Sequence, residues 1–274
     1  MLPNNKKPDN DAFFGILAIG DVVGRVGREC LAVGLKKLRE RYSINLVIAN
    51  VENAAGGFGL TEKICKGLVD EQKIDVLTTG NHWADKQEIF KFSPQYKNLI
   101  FPANMYNVSD PMKGFYVGKA DGHYYAVINL TGVIFMKGNN TSAFAMIDKI
   151  LELLPPYVKV IVIDFHAEAT SEKQAFAHYI AERVSLVFGT HTHCQTSDER
   201  ILSQKTGYIT DLGMTGPYDS VIGMDKKNAI QKFLHHKSGK LKPAKNEGKL
   251  CGIYATVDPI SGYCSTIERI QENI

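Results

Sequence analysis

The sequence predicts an α/β protein: a four-layer α-β-β-α sandwich of two packed mixed sheets with helices outside both. Three observations predict it. In the first half, short apolar runs alternate with amphipathic stretches, the β-α-β rhythm that implies parallel pairing. In the middle, two β-rich runs meet across Asp121-Gly122, a strong signal for an antiparallel hairpin. After residue 200 the chain is β-rich again, so strands of both directions share sheets.

Taken in order, residues 14–19 are apolar and form the first strand. Residues 28–42 place Leu31, Val33, Leu35 and Leu38 among charges that gather at the end, as a surface helix does. Residues 46–49 are the second strand. Thr61 opens a helix that runs to about residue 72, with Glu62 in its first turn. Residues 75–79 are the third strand and 84–92 a short helix. Residues 114–119 and 123–130 are the two arms of the hairpin. Residues 143–154 form an amphipathic helix stopped by Pro155-Pro156. Residues 158–163 are β-branched apart from Lys159, which predicts a strand buried on both faces. Ser171 caps a helix over residues 171–183, and residues 185–188 form another buried strand. Strands at 208–210, 252–257 and 264–270 and a short helix at 228–234 complete the chain. Residues 235–248 hold Lys237, Lys240, Lys242 and Lys245 among Gly, Pro and Ser and read as a solvated loop, with a phosphate-attracting rim as the lesser reading. No repeat or low-complexity linker divides the chain. The expectation is one domain over residues 14–274 behind a disordered tail of residues 1–13.

Composition narrows the class. At 274 residues, 44% hydrophobic and 22% charged, the chain can bury a sizeable core. A formal charge of +3 is too small to favour a nucleic-acid partner, yet it does not repel phosphate esters. The five cysteines have no short paired spacing and read as thiols of a reducing cytoplasm. Lys6 and Lys7 before the apolar residues 12–20 resemble a leader, but Asp9 and Asp11 intervene and the run ends in Gly20-Asp21. No run approaches the ~20 apolar residues of a membrane span. A cytoplasmic protein is expected, and a homo-oligomer is compatible with this reading.

Seven residues that suit hard or borderline metals stand at the ends of apolar runs: Asp21, Glu52, Asn53, Asn81, His166, His191 and His193. Open α/β sheets carry their chemistry just beyond the carboxyl ends of strands. Two-metal hydrolase sites need carboxylate, amide and imidazole ligands that converge there. Each residue has a plainer reading as well. Asp21 suits a helix cap, and a lone His166 would more often be a satisfied, partly buried residue. His191 and His193 change that weighing, because at i and i+2 in an extended turn both project to one side. Gly56, Gly57 and Gly59 after Glu52-Asn53 form either a flexible loop or an anion cradle. His82, beside Asn81, can hold a proton near neutral pH and is the candidate general acid, with Asp85 three residues on to orient it. Cys194 reads as a small side chain that flanks the loop. His123, His178, His235 and His236 lack such context.

The stretches GDVVGRVGR, ENAAGGFGLT, GNHWADK, DFHAEATSEKQA, GTHTHCQTSDERIL and YITDLGMTGPYDSVIGMD resemble the calcineurin-like metallophosphoesterases, specifically the YmdB-type branch of 2′,3′-cyclic-nucleotide 2′-phosphodiesterases. They spread from Gly20 to Asp225. Val23 stands where most of the superfamily has His, and Glu52 replaces the usual bridging Asp; both fit the branch. Val26, Val51, the place of Trp83 and residues 131–144 depart from its pattern and bear on the substrate-facing surface. The resemblance implies the metallophosphoesterase fold and two ions, iron or manganese, bridged by Glu52. Asp21, Asn53 and His193 would complete one site, and Asn81, His166 and His191 the other. It implies a small-molecule phosphodiester substrate opened to the 3′-phosphate nucleoside, His82 as acid, and Arg25 as a phosphate contact or else a surface residue. The alternatives are a broader phosphodiesterase or phosphomonoesterase, a regulatory RNA-binding protein with a vestigial site, and a structural metal site.

Overall fold

The computed structural model describes residues 13–105, 111–138, 140–235 and 241–274. Residues 1–12 of the expected tail, His236, Lys237 and Lys240 lie outside the described residues. The elements run β1 (Phe14–Ile19), β2 (Asp21–Val22), α1 (Gly24–Arg41), β3 (Leu46–Asn50), α2 (Glu62–Lys66), β4 (Val76–Thr78), α3 (Ile89–Phe92), β5 (Phe115–Ala120), β6 (His123–Thr131), α4 (Ala143–Leu153), β7 (Val160–His166), α5 (Thr170–Ile180), β8 (Leu186–Thr190), β9 (Arg200–Leu202), β10 (Thr206–Ile209), β11 (Met214–Pro217), α6 (Lys226–His235), β12 (Gly248–Val257) and β13 (Cys264–Asn273).

Two mixed sheets result. One has the order β2-β11-β12-β1-β3-β4 with β13 on β12, the other β5-β6-β7-β8-β10-β9. β1, β3 and β4 pair in parallel, as do β6, β7, β8 and β10, whereas β1-β12, β5-β6 and β9-β10 are antiparallel. The period-2 alternation of side chains explains the layers. From β1 and β3, Phe14, Ile16, Ala18, Leu46 and Ile48 face Val127, Val162 and Phe188 of the other sheet. Leu17, Ile19, Val47 and Ala49 point the other way, onto Leu31, Leu35 and Leu38 of α1. Ile128, Ile163 and Val187 likewise pack on Ile147 and Ile150 of α4 and Phe176 of α5. Strands buried on both faces cannot alternate apolar with polar, which is why they read as continuous runs.

The structure corrects several boundaries. α1 starts at Gly24, and its cap position, Val23, makes no side-chain cap bond. Asp21 therefore caps nothing; it sits in β2, which pairs with Met214–Thr215. The helix expected over 84–92 shrinks to Ile89–Phe92, and residues 81–86 form turns that carry Asn81 and His82. Ser171 lies within α5, whose cap position is Ala169. The helix from Thr61 changes to π-helix over Gly67–Glu71. β9 and β11 are too short to leave a period in the sequence. Among the described residues no helix is long and apolar enough to cross a membrane.

Candidate metal centre

Parallel strands end together, so β1, β3, β4, β7 and β8 deliver their last residues to one edge where both sheets meet. Glu52 and Asn53 follow β3, Asn81 follows β4, His166 ends β7, and His191 follows β8. The side chains converge. His166 Nε2 lies 3.0 Å from Asn81 Oδ1, 3.3 Å from Glu52 Oε1 and 3.0 Å from His191 Nδ1. His193 Nε2 lies 3.2 Å from Asn53 Oδ1. Asp21 stands between these groups, 3.9 Å from His166 Nδ1, with its Oδ2 accepting from the His191 amide.

Each histidine has one ring nitrogen tied outward and the other aimed in. His166 Nδ1 meets Thr190 Oγ1 at 2.9 Å, whose hydroxyl donates to Asp164 Oδ1 at 2.6 Å. His193 Nδ1 meets the Ile222 carbonyl at 2.9 Å, and His191 Nε2 meets Glu168 Oε2 at 3.0 Å. Outer partners of this kind fix the tautomer and orientation of metal-ligating imidazoles. Asn53 is oriented in the same manner, since its Nδ2 donates to Gly57 O and leaves Oδ1 inward. The glycine loop after Glu52 thus turns back on Asn53.

Three further observations fit a cation. Asp21 is fully buried, and its Oδ1 accepts no hydrogen bond. Burial pushes the Asp21 carboxyl above its ordinary range. At His166 burial acts downward, but Glu52, Asp21 and Asp164 outweigh it and raise the ring to about 9, so positive charge is favoured at this point. Burial likewise pushes Glu52 up, yet His166 and His82 bring it to about 2. Finally, a Cβ on Gly80 would collide with His166 Nε2 and Glu52 Oε2, so only glycine leaves this cradle open. The donor set is carboxylate, amide and imidazole with no thiolate, which suits ions such as manganese or iron.

The other expectations divide. His82 is placed beside the centre: its amide donates to Glu52 Oε2, and its Nδ1 lies 2.8 Å from Asp85 Oδ2, with the Phe58 ring edge against it. Arg25 lies in the first turn of α1. Its guanidinium pairs with Glu29 on the exposed side of α1. The extended turn expected at residues 191–193 is replaced by positive φ at both His191 (101°) and His193 (63°), and the two rings reach His166 and Asn53 respectively. The Cys194 thiol is exposed. Sequence reasoning missed the buried seam beneath the histidines, where Asp164 accepts from Thr78 and Asn50 of the first sheet and Thr190 of the second. A lone Asp at the end of the run 158–163 was its signal. Glu168 was also missed, because its role depends on a loop distant in sequence.

A family model described as YmdB-like protein matches residues 17–270. The chain belongs to this YmdB-like family. It is 43% identical over 258 residues, 94% of this chain and 97% of the relative, to the 2′,3′-cyclic-nucleotide 2′-phosphodiesterase of Bacillus subtilis. It is similar in structure to a novel phosphatase of Mycoplasma pneumoniae, with a TM-score of 0.89 and 29% identity over 95% of this chain and 94% of that one. The NAD nucleotidase of Haemophilus influenzae shares the fold at a TM-score of 0.58 and 13% identity, over 96% of this chain and 50% of that one. The YmdB-like chain is a hydrolase of the metallophosphoesterase type, and its family implies bound divalent metal ions.

Proposed function

We propose that the chain hydrolyses 2′,3′-cyclic nucleotides to 3′-phosphate nucleosides at a centre of two metal ions, iron or manganese. The observation that carries this reading is the convergence of seven metal-suited side chains, Glu52 among them, on the edge where both sheets meet. The relative from Bacillus subtilis supplies the substrate class. Glu52 would bridge the ions; Asp21, Asn53 and His193 would hold one, and Asn81, His166 and His191 the other. When bound, such ions lower the pKa of water so that hydroxide is available and offset charge on the phosphoryl oxygens.

The chain's own groups supply the rest. Asp85 holds His82 by Nδ1 and leaves Nε2 to face the substrate. His82 then gives its Nε2 proton to the departing 2′-oxygen, which would otherwise leave as a costly alkoxide. The outward partners of His166 and His193 fix each ring so that its Nε2 is turned toward the centre. Support for these roles lies in the 2.8 Å His82–Asp85 contact and in the burial of Glu52.

The test is incubation of the Mn²⁺-loaded protein with 2′,3′-cyclic AMP. Adenosine 3′-phosphate is the expected product. Release of the 2′-phosphate alone would reverse the assignment. Cleavage of phosphomonoesters with cyclic nucleotides left intact would favour the broader phosphatase reading, which the name of the Mycoplasma pneumoniae neighbour also favours.

A further inference from the structure

Behind the metal centre lies an ion pair that the chemistry above does not use. Lys173, on α5, and Asp211, after β10, are each 1% exposed, and Lys173 Nζ meets Asp211 Oδ2 at 2.6 Å. The same Oδ2 accepts from the Thr192 amide at 3.2 Å, and Oδ1 accepts from the Gly213 amide at 2.8 Å. Thr192 is the residue between His191 and His193, both of which have positive φ. Such backbone conformations cost energy for side chains with a Cβ and persist only where the surroundings hold them. Gly213 leads into β11 and its carbonyl accepts from the Asp21 amide at 3.1 Å. One carboxylate therefore grips the histidine turn and the segment that seats Asp21.

We propose that the Lys173–Asp211 pair is a positioning device for the metal centre. It holds the His191–His193 turn in its strained conformation, so that one ring faces His166 and the other faces Asn53. The idea rests on the two-metal reading above. Lys173 holds Asp211 in place; Asp211 makes the contact. A buried ion pair is a poor way to gain stability, because desolvation offsets the attraction, and apolar replacements of similar volume are often neutral or better. Its presence here is therefore better explained by what the carboxylate holds than by the fold.

The test compares wild type, Asp211→Asn and the double variant Lys173→Met/Asp211→Leu. Mn²⁺ stoichiometry and affinity are read by competition with a chelator, and melting temperature is measured on the same samples. Wild type should bind two ions. The double variant leaves the Thr192 and Gly213 amides without their acceptor but strands no charge, so it should melt above the Asp211→Asn variant, yet bind Mn²⁺ about 10–100-fold more weakly than wild type, the usual loss when an outer partner of a ligand is removed. Asp211→Asn should melt lower and also bind weakly, because one amide oxygen cannot serve both Thr192 and Gly213. It decides the matter if the double variant does not fold. A folded variant that binds two ions with wild-type affinity would overturn the positioning role and leave the two-metal reading standing. Wild type that takes up no Mn²⁺ would remove both.

Discussion

A general acid needs one ring nitrogen tied down and the other free to reach the substrate, and His82 has this arrangement through Asp85. His82→Ala should keep its metals and lose ~10²–10⁴-fold in the chemical step on cyclic nucleotides. The loss should shrink for a p-nitrophenyl ester, whose leaving group scarcely needs a proton. Equal losses on both substrates, measured with metal content on the same sample, would reduce His82 to a packing partner of Phe58. Glu52 stands at the other extreme. It touches His166 and the His82 backbone and is 1% exposed. Glu52→Gln keeps the shape and removes the charge that the proposed pair of ions would share, so it should harm turnover more than any other single change among the proposed ligands. Near-normal turnover with two ions bound would make it a loop residue only.

At the scale of elements, what was legible in the sequence tracks how local its cause is. Strands β1, β3 and β7 declared themselves because burial on both faces leaves only apolar residues. The β5-β6 hairpin declared itself because Asp121 and Gly122 both have positive φ, at 46° and 84°, as a tight hairpin turn requires. β2, β9 and β11 did not, since their two to four residues exist only through pairing with distant strands. The candidate ligands were legible as residue types at strand ends, whereas Glu168, Asp164 and Asp211 act through partners far along the chain. Two glycines test the difference. Around Gly122 a Cβ meets nothing within 4 Å, so Gly122→Ala should cost only about 1 kcal/mol of backbone strain and leave activity intact. Gly80→Ala should abolish Mn²⁺ uptake, because the new methyl collides with His166 and Glu52. Calorimetric unfolding and metal analysis of the two variants would separate turn from cradle; normal Mn²⁺ binding by Gly80→Ala would refute the crowding argument.

For the whole molecule, two sheets are held by an apolar interior along most of their length and by ionisable groups at one end. That end is where stability and function oppose each other. Asp21 is fully buried with one oxygen unpartnered, and such a group costs ~1–3 kcal/mol, more when charged. In the metal-free protein Asp21→Asn relieves the charge while keeping an oxygen for the His191 amide. The melting temperature of the metal-free variant should therefore rise by a few degrees, on the scale of ~2–4 °C per kcal/mol for a chain approaching this size. The order should reverse once Mn²⁺ is added. Ligands that bind only the native state stabilise it by ~2.7 kcal/mol at one hundred times their dissociation constant. Wild type should gain that increment, and Asp21→Asn much less of it. Melting curves of both proteins with chelator and with Mn²⁺ give the four values needed. If the metal-free variant melts below wild type, Asp21 holds the fold together, and the strain assigned to its buried carboxylate is wrong.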